Sequence, residues 1–232
     1  MVGDQWRFPA GDEVLSQLWS SIPFQPHPNE EDGIIWNHTS SGRFSIASAW
    51  DLLRAHRPTT NMQYILWHPL HVPRLSFILW LASQGRLSTK DRVHTVNMED
   101  GSCKLCNQAT ETHEHLFFQC LFSAQVWQTV NNKAKMHWPS LPWADLLQWA
   151  MSRVKKKGGI NNHIGSLLLS STVYHLWQER NRRIFCDHHK ASQAISADIY
   201  QQVRTQLIHA QDRLKWPVQV QTTWNLLDDY AH

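Results

Sequence analysis

Cys103 and Cys106 are separated by two residues, His115 follows after eight more and Cys120 after a further four, a Cys-x2-Cys-x8-His-x4-Cys run. Three thiolates and one imidazole on such a spacing are the donor set of a tetrahedral Cys₃His zinc site. The Cys-x2-Cys turn presents two sulfurs on one knuckle, and His115 and Cys120 supply the remaining pair about one turn apart, at the start of a helix. Four protein donors leave no position for a reactive water, so the expected cofactor is structural Zn2+, whose binding adds on the order of 10–16 kcal/mol to folding. The bland alternative is three thiols packed as small hydrophobes. His113, with six residues between it and the cysteine on either side, is the rival nitrogen donor.

Other chemistries find little to work with, and no catalytic residue is expected. Two-metal phosphoryl transfer needs clustered carboxylates on a scaffold. Leu227-Asp228-Asp229 is the sole decoy, and it lacks the aromatic-x-Asp-Asp hairpin. The sequence has no glycine-rich phosphate loop and no Ser-His-Asp signature. Thiol–disulfide exchange at Cys103 and Cys106 would need a βαβ context that these helical patterns do not supply. Cys186-Asp187-His188-His189 resembles a second metal cluster but reads as a solvated turn with one thiol.

Composition bounds the rest. With 232 residues and 42% hydrophobic content the chain can bury a real core. Its net charge is +3, but the first 33 residues set six acids against Arg7 and carry −5, leaving +8 on the remainder. An acidic front and a mildly basic body suit a nucleic-acid contact better than a membrane one. No apolar run reaches about 18 residues and no leader pattern opens the chain. Four cysteines are too few for a disulfide scaffold. The expected location is intracellular, nucleus or cytoplasm.

The positioning elements read as mainly α. Residues 1–33, with Pro23, Pro26, Pro28 and an acidic run to Asp32, read as a linker. Ile34-Ile35-Trp36, a Ser40-Ser41-Gly42 turn and Arg43-Phe44 predict a short N-terminal β-hairpin, and Ser45 then caps a helix lined by Ile46, Ala49, Trp50 and Leu53. Leu75 to Ala82 is uniformly apolar and is expected at the buried centre. Ser88 opens a short helix through Val96, and a helix from His115 to about Val130 starts on two of the metal donors. The small zinc domain is thus assigned to 34–130 and a helical C-terminal region to 131–232. There, Trp143 to Val154 is one helix. Two longer helices, lined by Leu169, Val173, Leu176, Trp177 and Ile184 and by Ile195, Ile199, Val203, Leu207 and Leu214, predict an antiparallel helical hairpin.

Candidate phosphate contacts are Lys155, Lys156 and Lys157 in a basic break ending in Gly158-Gly159, and Arg182 opposite the apolar stripe of its helix. A solvated lysine loop is the bland alternative. Arg180 sits at the centre of the apolar face, where a buried ion pair is the better reading. Trp50, Trp67, Trp80, Trp127 and Trp177 lie on apolar faces and are expected in the core, not as base-stacking platforms.

An ordered set of motifs carries a family resemblance. Trp36, Gly42 to Trp50, Leu66-Trp67 before Pro69, Pro73 to Trp80, Leu87-Ser88-Thr89-Lys90, Cys103 to Cys106, Glu111, His115 to Cys120 and Val126-Trp127 occur in sequence. The stretch from Trp36 through Trp127 resembles the zinc-binding segment that follows the reverse transcriptase in plant non-LTR retrotransposons, and Trp177 to Phe185 is similar to the helical tail of the same proteins. The resemblance implies metal ligands Cys103, Cys106, His115 and Cys120. It also implies a place in an element polyprotein downstream of a polymerase domain, and contacts to RNA or DNA. Leu81 departs from the family, which usually has a basic residue after the tryptophan. The competing class is a structural or protein-interaction module in which zinc is only a staple. Oligomeric state is not written in these residues.

Overall fold

The computed structural model describes residues 17–18, 21, 33–54, 61–92, 101–154 and 159–226. The linker's Pro23, Pro26, Pro28 and acidic run to Asp32, as well as Lys155 to Lys157 and Asp228-Asp229, lie outside the described residues. The chain divides into two units, Met1–Pro58 and Thr59–His232.

In the first unit the described residues form a turn and one helix, α1 (Ile46–Leu53). Ser45 caps it: its hydroxyl accepts from the Ser48 N–H at 3.1 Å and the Ser48 hydroxyl accepts from the Ser45 N–H at 3.2 Å, a reciprocal capping box. The expected β-hairpin is absent, and among the described residues no strand forms. The Trp36 N–H donates to the Gly42 carbonyl at 2.9 Å and Trp36 meets Phe44 edge-on at 5.1 Å, which closes a turn but builds no ladder. Among the described residues of this unit no third strand joins the two short segments, and a lone two-stranded ribbon gains too little to hold. No residue of α1 is buried; Trp50, expected in the core, is 66% exposed.

The second unit is helical: α2 (Met62–Leu66), α3 (Pro73–Ser83), a 3₁₀ turn (Lys90–Arg92), α4 (Leu121–Lys133), α5 (Trp143–Arg153), α6 (Ile160–Phe185), α7 (Ser192–His209) and α8 (Val218–Trp224). Its axis is α6, packed on α2, α3, α4 and α7, and not the apolar Leu75–Ala82 stretch. At 26 residues α6 runs about 39 Å. From Ile164 to Val173 every residue is buried, including Ser166, Ser170, Ser171 and Thr172. Ser170 and Thr172 hide their hydroxyls by donating to the carbonyls of Leu167 and Leu168, so these two enter a core helix at small cost, whereas the Ser166 and Ser171 hydroxyls are buried without a partner among the described residues. In α3 one face is buried through Leu75, Leu79 and Ala82, while Phe77 faces solvent. Gly165 is fixed by contact, since a Cβ there would lie 2.5 Å from the Trp138 ring. Helices α6 and α7 pack against each other across the short link 186–191. Trp127 is a core residue, Trp80 and Trp177 are half-buried, and Trp67 is exposed.

Candidate metal centre

The thiol knuckle is built by main-chain hydrogen bonds. Ser102 and Thr110 form an isolated antiparallel bridge. The Cys103 N–H donates to the Ala109 carbonyl at 2.7 Å, the Glu111 N–H to the Gly101 carbonyl at 2.8 Å, and the Asn107 N–H to the Cys103 carbonyl at 2.7 Å. Asn107 takes a positive φ of 55°, which asparagine tolerates, so the loop reverses tightly enough to bring Cys103 and Cys106 to one side.

Opposite it, the chain from His115 to Cys120 is a distorted turn and not the opening of a helix. Phe117 (φ −98, ψ 99) and Phe118 (φ 76, ψ −10) leave helical geometry, and the Cys120 N–H reaches back to the His115 carbonyl at 2.7 Å. A phenylalanine at positive φ costs on the order of 1 kcal/mol. It is held by burial against Trp127 at 5.1 Å and Trp143 at 6.0 Å. Cys120 is then the residue preceding α4, whose N-terminal N–H groups favour a thiolate.

Four donor atoms, one each from Cys103, Cys106, His115 and Cys120, lie within 4.8 Å of one another. Cys103 Sγ and Cys120 Sγ are 4.0 Å apart, and Cys106 Sγ lies 3.3 Å from His115 Nε2. Zinc–sulfur bonds of about 2.3 Å and zinc–nitrogen bonds of about 2.0 Å set tetrahedron edges of about 3.8 Å and about 3.5 Å. The two separations bracket those edges, and the sulfurs are too far apart for a disulfide, which needs about 2.05 Å. Cys103 and Cys120 are fully buried. The donor set therefore fits structural zinc and has no carboxylate to favour a harder ion.

The protonation pattern agrees. The Cys103 thiol donates to the Cys120 sulfur, which lowers the Cys120 pKa; the N–H groups of Ser123 and Phe122 act the same way against burial. Cys103 is pushed far up by that hydrogen bond and by burial. One ion takes the place of the proton this pair shares. Burial lowers the His115 pKa against the opposing charge of Glu111, keeping the imidazole neutral as a ligand must be.

His113 is elsewhere. Its ring packs 4.9 Å from Phe117 and 5.7 Å from Trp143, its Nε2 is buried without a partner, and burial lowers its pKa.

A second layer clamps the knuckle from α6. Arg183 donates to the carbonyls of Lys104 and Leu105, inside the Cys-x2-Cys turn, at 3.1 and 2.9 Å, and to the Lys190 carbonyl at 2.9 Å. Glu179 orients it at 2.8 Å and also accepts from the Lys190 N–H at 2.7 Å. One turn away Arg180 pairs with Glu111 at 2.6 Å, both buried, and Glu111 also accepts from the Lys90 N–H. Lys90 Nζ donates to the Ser102 carbonyl at 2.8 Å. The sequence pointed to a buried ion pair for Arg180, as found, but named no partner for it and gave Glu111, Lys90, Glu179 and Arg183 no such role, because the partners stand up to 79 residues apart.

Of the candidate phosphate contacts, Arg182 is described. It is half-buried on the side of α6 away from the knuckle clamp, and among the described residues none hydrogen-bonds or ion-pairs with its guanidinium, while its carbonyl accepts from the Cys186 N–H at 2.8 Å. Cys186 to His189 are exposed, as a solvated turn would be.

Residues 44–127 match the family model described as zinc-binding in reverse transcriptase. Among curated proteins, the Arabidopsis thaliana protein named "Putative ribonuclease H protein" is 21% identical over 164 residues, covering 68% of this chain and 26% of that protein. The chain spans about a quarter of that relative's length. No solved structure matches the chain.

Proposed function

We propose that this chain, whose residues 44–127 match the family model described as zinc-binding in reverse transcriptase, is a zinc-stapled, nucleic-acid-binding accessory module of a retrotransposon-type polyprotein, without polymerase activity of its own. Cys103, Cys106, His115 and Cys120 ligate the ion, His113 does not, and RNA or DNA is the partner. The carrying observation is the convergence of these four donors at tetrahedral spacing under a clamp of buried ion pairs. The metal closes the scaffold and does no chemistry on a substrate. Lys155, Lys156, Lys157 and Arg182 neutralise phosphates, in keeping with a net charge of +8 outside the first 33 residues. The longer relative, named a putative ribonuclease H protein, and the reverse-transcriptase family model support a polyprotein setting that includes a polymerase domain, and a nuclear or cytoplasmic site of action is consistent with reduced thiols. No helix among the described residues is long and apolar enough to cross a membrane.

A titration of the zinc-loaded chain with labelled single-stranded RNA at two salt concentrations tests this. Affinity that falls with salt supports it, and binding indistinguishable from background at low salt sinks it. A protein-interaction module is the second reading. It draws on α1, where Ile46, Trp50 and Leu53 all face solvent.

A further inference from the structure

The last turns of α6 have two faces with different duties. Glu179, Arg180 and Arg183 turn inward and are committed to the knuckle, to Glu111 and to the 190 main chain. Gln178, Asn181, Arg182 and Phe185, at steps of three, four and seven, share the other face and line one shallow hollow with Cys186. A second hollow shares Arg182 and Cys186 and adds His188 and Lys190.

The chemistry of that face is specific. Phe185 is 75% exposed, a large apolar ring at the end of a helix whose other apolar residues are covered or half-covered. Arg182 has no described partner. Gln178 spends one amide hydrogen on the Tyr174 hydroxyl at 2.6 Å and keeps its carbonyl; Asn181 accepts from Arg180 Nη1 at 2.9 Å and keeps its NH₂. Of the nearby charges, Lys190 pairs with Asp198 at 2.7 Å, and the fully exposed Asp187 carboxylate lies 3.4 Å from His189 Nε2, an ion pair only when that imidazole is protonated. What is offered outward is therefore a bare aromatic face, a free guanidinium, one acceptor and one donor, along about 10 Å of helix.

We propose that this stripe is a platform for single-stranded nucleic acid, with Phe185 stacking on an unpaired base, Arg182 neutralising the adjoining phosphate, and Gln178 and Asn181 meeting the base edge. The inference rests on the nucleic-acid reading above and gives it a location. A duplex keeps its base faces inside the stack, so a lone exposed phenylalanine has nothing to gain from one, whereas splayed single strands present a π-face whatever the base. Because the inner face of the same two turns grips the Cys-x2-Cys loop, the platform is fixed by the metal centre.

The test is fluorescence anisotropy on the full zinc-loaded chain with single-stranded RNA, single-stranded DNA of the same sequence and the matching duplex, at several salt concentrations. Phe185→Ala should weaken single-strand binding about tenfold without changing the salt slope, and Phe185→Tyr should restore it. Arg182→Ala should weaken binding and lower the slope by about one. Phe185 is exposed and Arg182 half-buried, and zinc content with circular dichroism verifies that the variants fold. If the wild-type chain binds either strand and the Phe185 and Arg182 variants bind equally well, or if the duplex binds as tightly as the single strands, the platform is overturned while the nucleic-acid reading stands. If the wild-type chain binds no strand at low salt, both fall together.

Discussion

Replacing Arg183 by methionine tests how the protein holds its metal. The side chain makes three charge-assisted hydrogen bonds to the carbonyls of Lys104, Leu105 and Lys190, and pairs with Glu179. Removing it leaves the fully buried Glu179 carboxylate with one main-chain donor and no counter-charge. Orphaning one member of a buried pair costs about 3–5 kcal/mol. The Lys104 and Leu105 carbonyls also lose the donor that sets the turn, and loss of such outer partners weakens metal binding by about 10–100-fold. The assay is denaturant unfolding alongside zinc competition against a chromophoric chelator, for Arg183→Met and for Glu179→Gln/Arg183→Met. The double variant removes the stranded charge, so it should recover part of the stability but none of the zinc affinity, because the knuckle stays unheld. The reasoning is refuted if Arg183→Met is destabilised yet competes for zinc as the wild type does.

Three further outcomes follow from the same geometry. His115→Ala should lose zinc, whereas His113→Phe should keep one ion per chain by elemental analysis, since His113 fills a gap between Phe117 and Trp143. Stability should fall on acidification: burial, reinforced by His163 and His71, lowers the His68 pKa to about 3, and burial lowers that of His175 to about 4. The folded state thus resists protons that the unfolded chain accepts below about 6.5, so stability present above that pH is lost as pH drops toward 4, by about 1.4 kcal/mol per pH unit for each group. In His68→Asn, which can still accept the Leu70 N–H, urea unfolding across this window should show a slope shallower by one proton, and an unchanged slope would count against the assignment. Gly165→Ala should cost about 1–3 kcal/mol by overpacking against Trp138, outweighing the roughly 1 kcal/mol that alanine gains in a helix, as read from thermal or urea unfolding.

How much of this was legible in the sequence depended on how local the physics is. The metal site was legible because its donors lie within eighteen residues and a fixed spacing encodes a tetrahedron. The helical class was legible from periodicity. The hairpin was misread because Ile34 to Phe44 has the residues of a β-ribbon, but among the described residues of its unit no further strand pairs with it. The centre was misplaced because hydropathy favours Leu75–Ala82, whereas α6 buries small polar residues, of which Ser170 and Thr172 donate to carbonyls of their own helix. Trp50 and Trp67 sit on apolar faces that the described structure leaves exposed, so an apolar stripe alone does not say what covers it. Within the clamp, the buried ion pair of Arg180 was legible from its place at the centre of the apolar face, but its partner Glu111 and the hold of Glu179 and Arg183 on the knuckle carbonyls were out of reach, since those partners are distant in sequence.

The most direct measurement is the metal content and coordination of the purified chain. One zinc per chain is expected, replaceable by cobalt with the intense visible spectrum of a tetrahedral thiolate site, and stripping it should melt the helical unit. A folded, helical chain that carries no zinc, or a weak octahedral cobalt spectrum, would contradict the account.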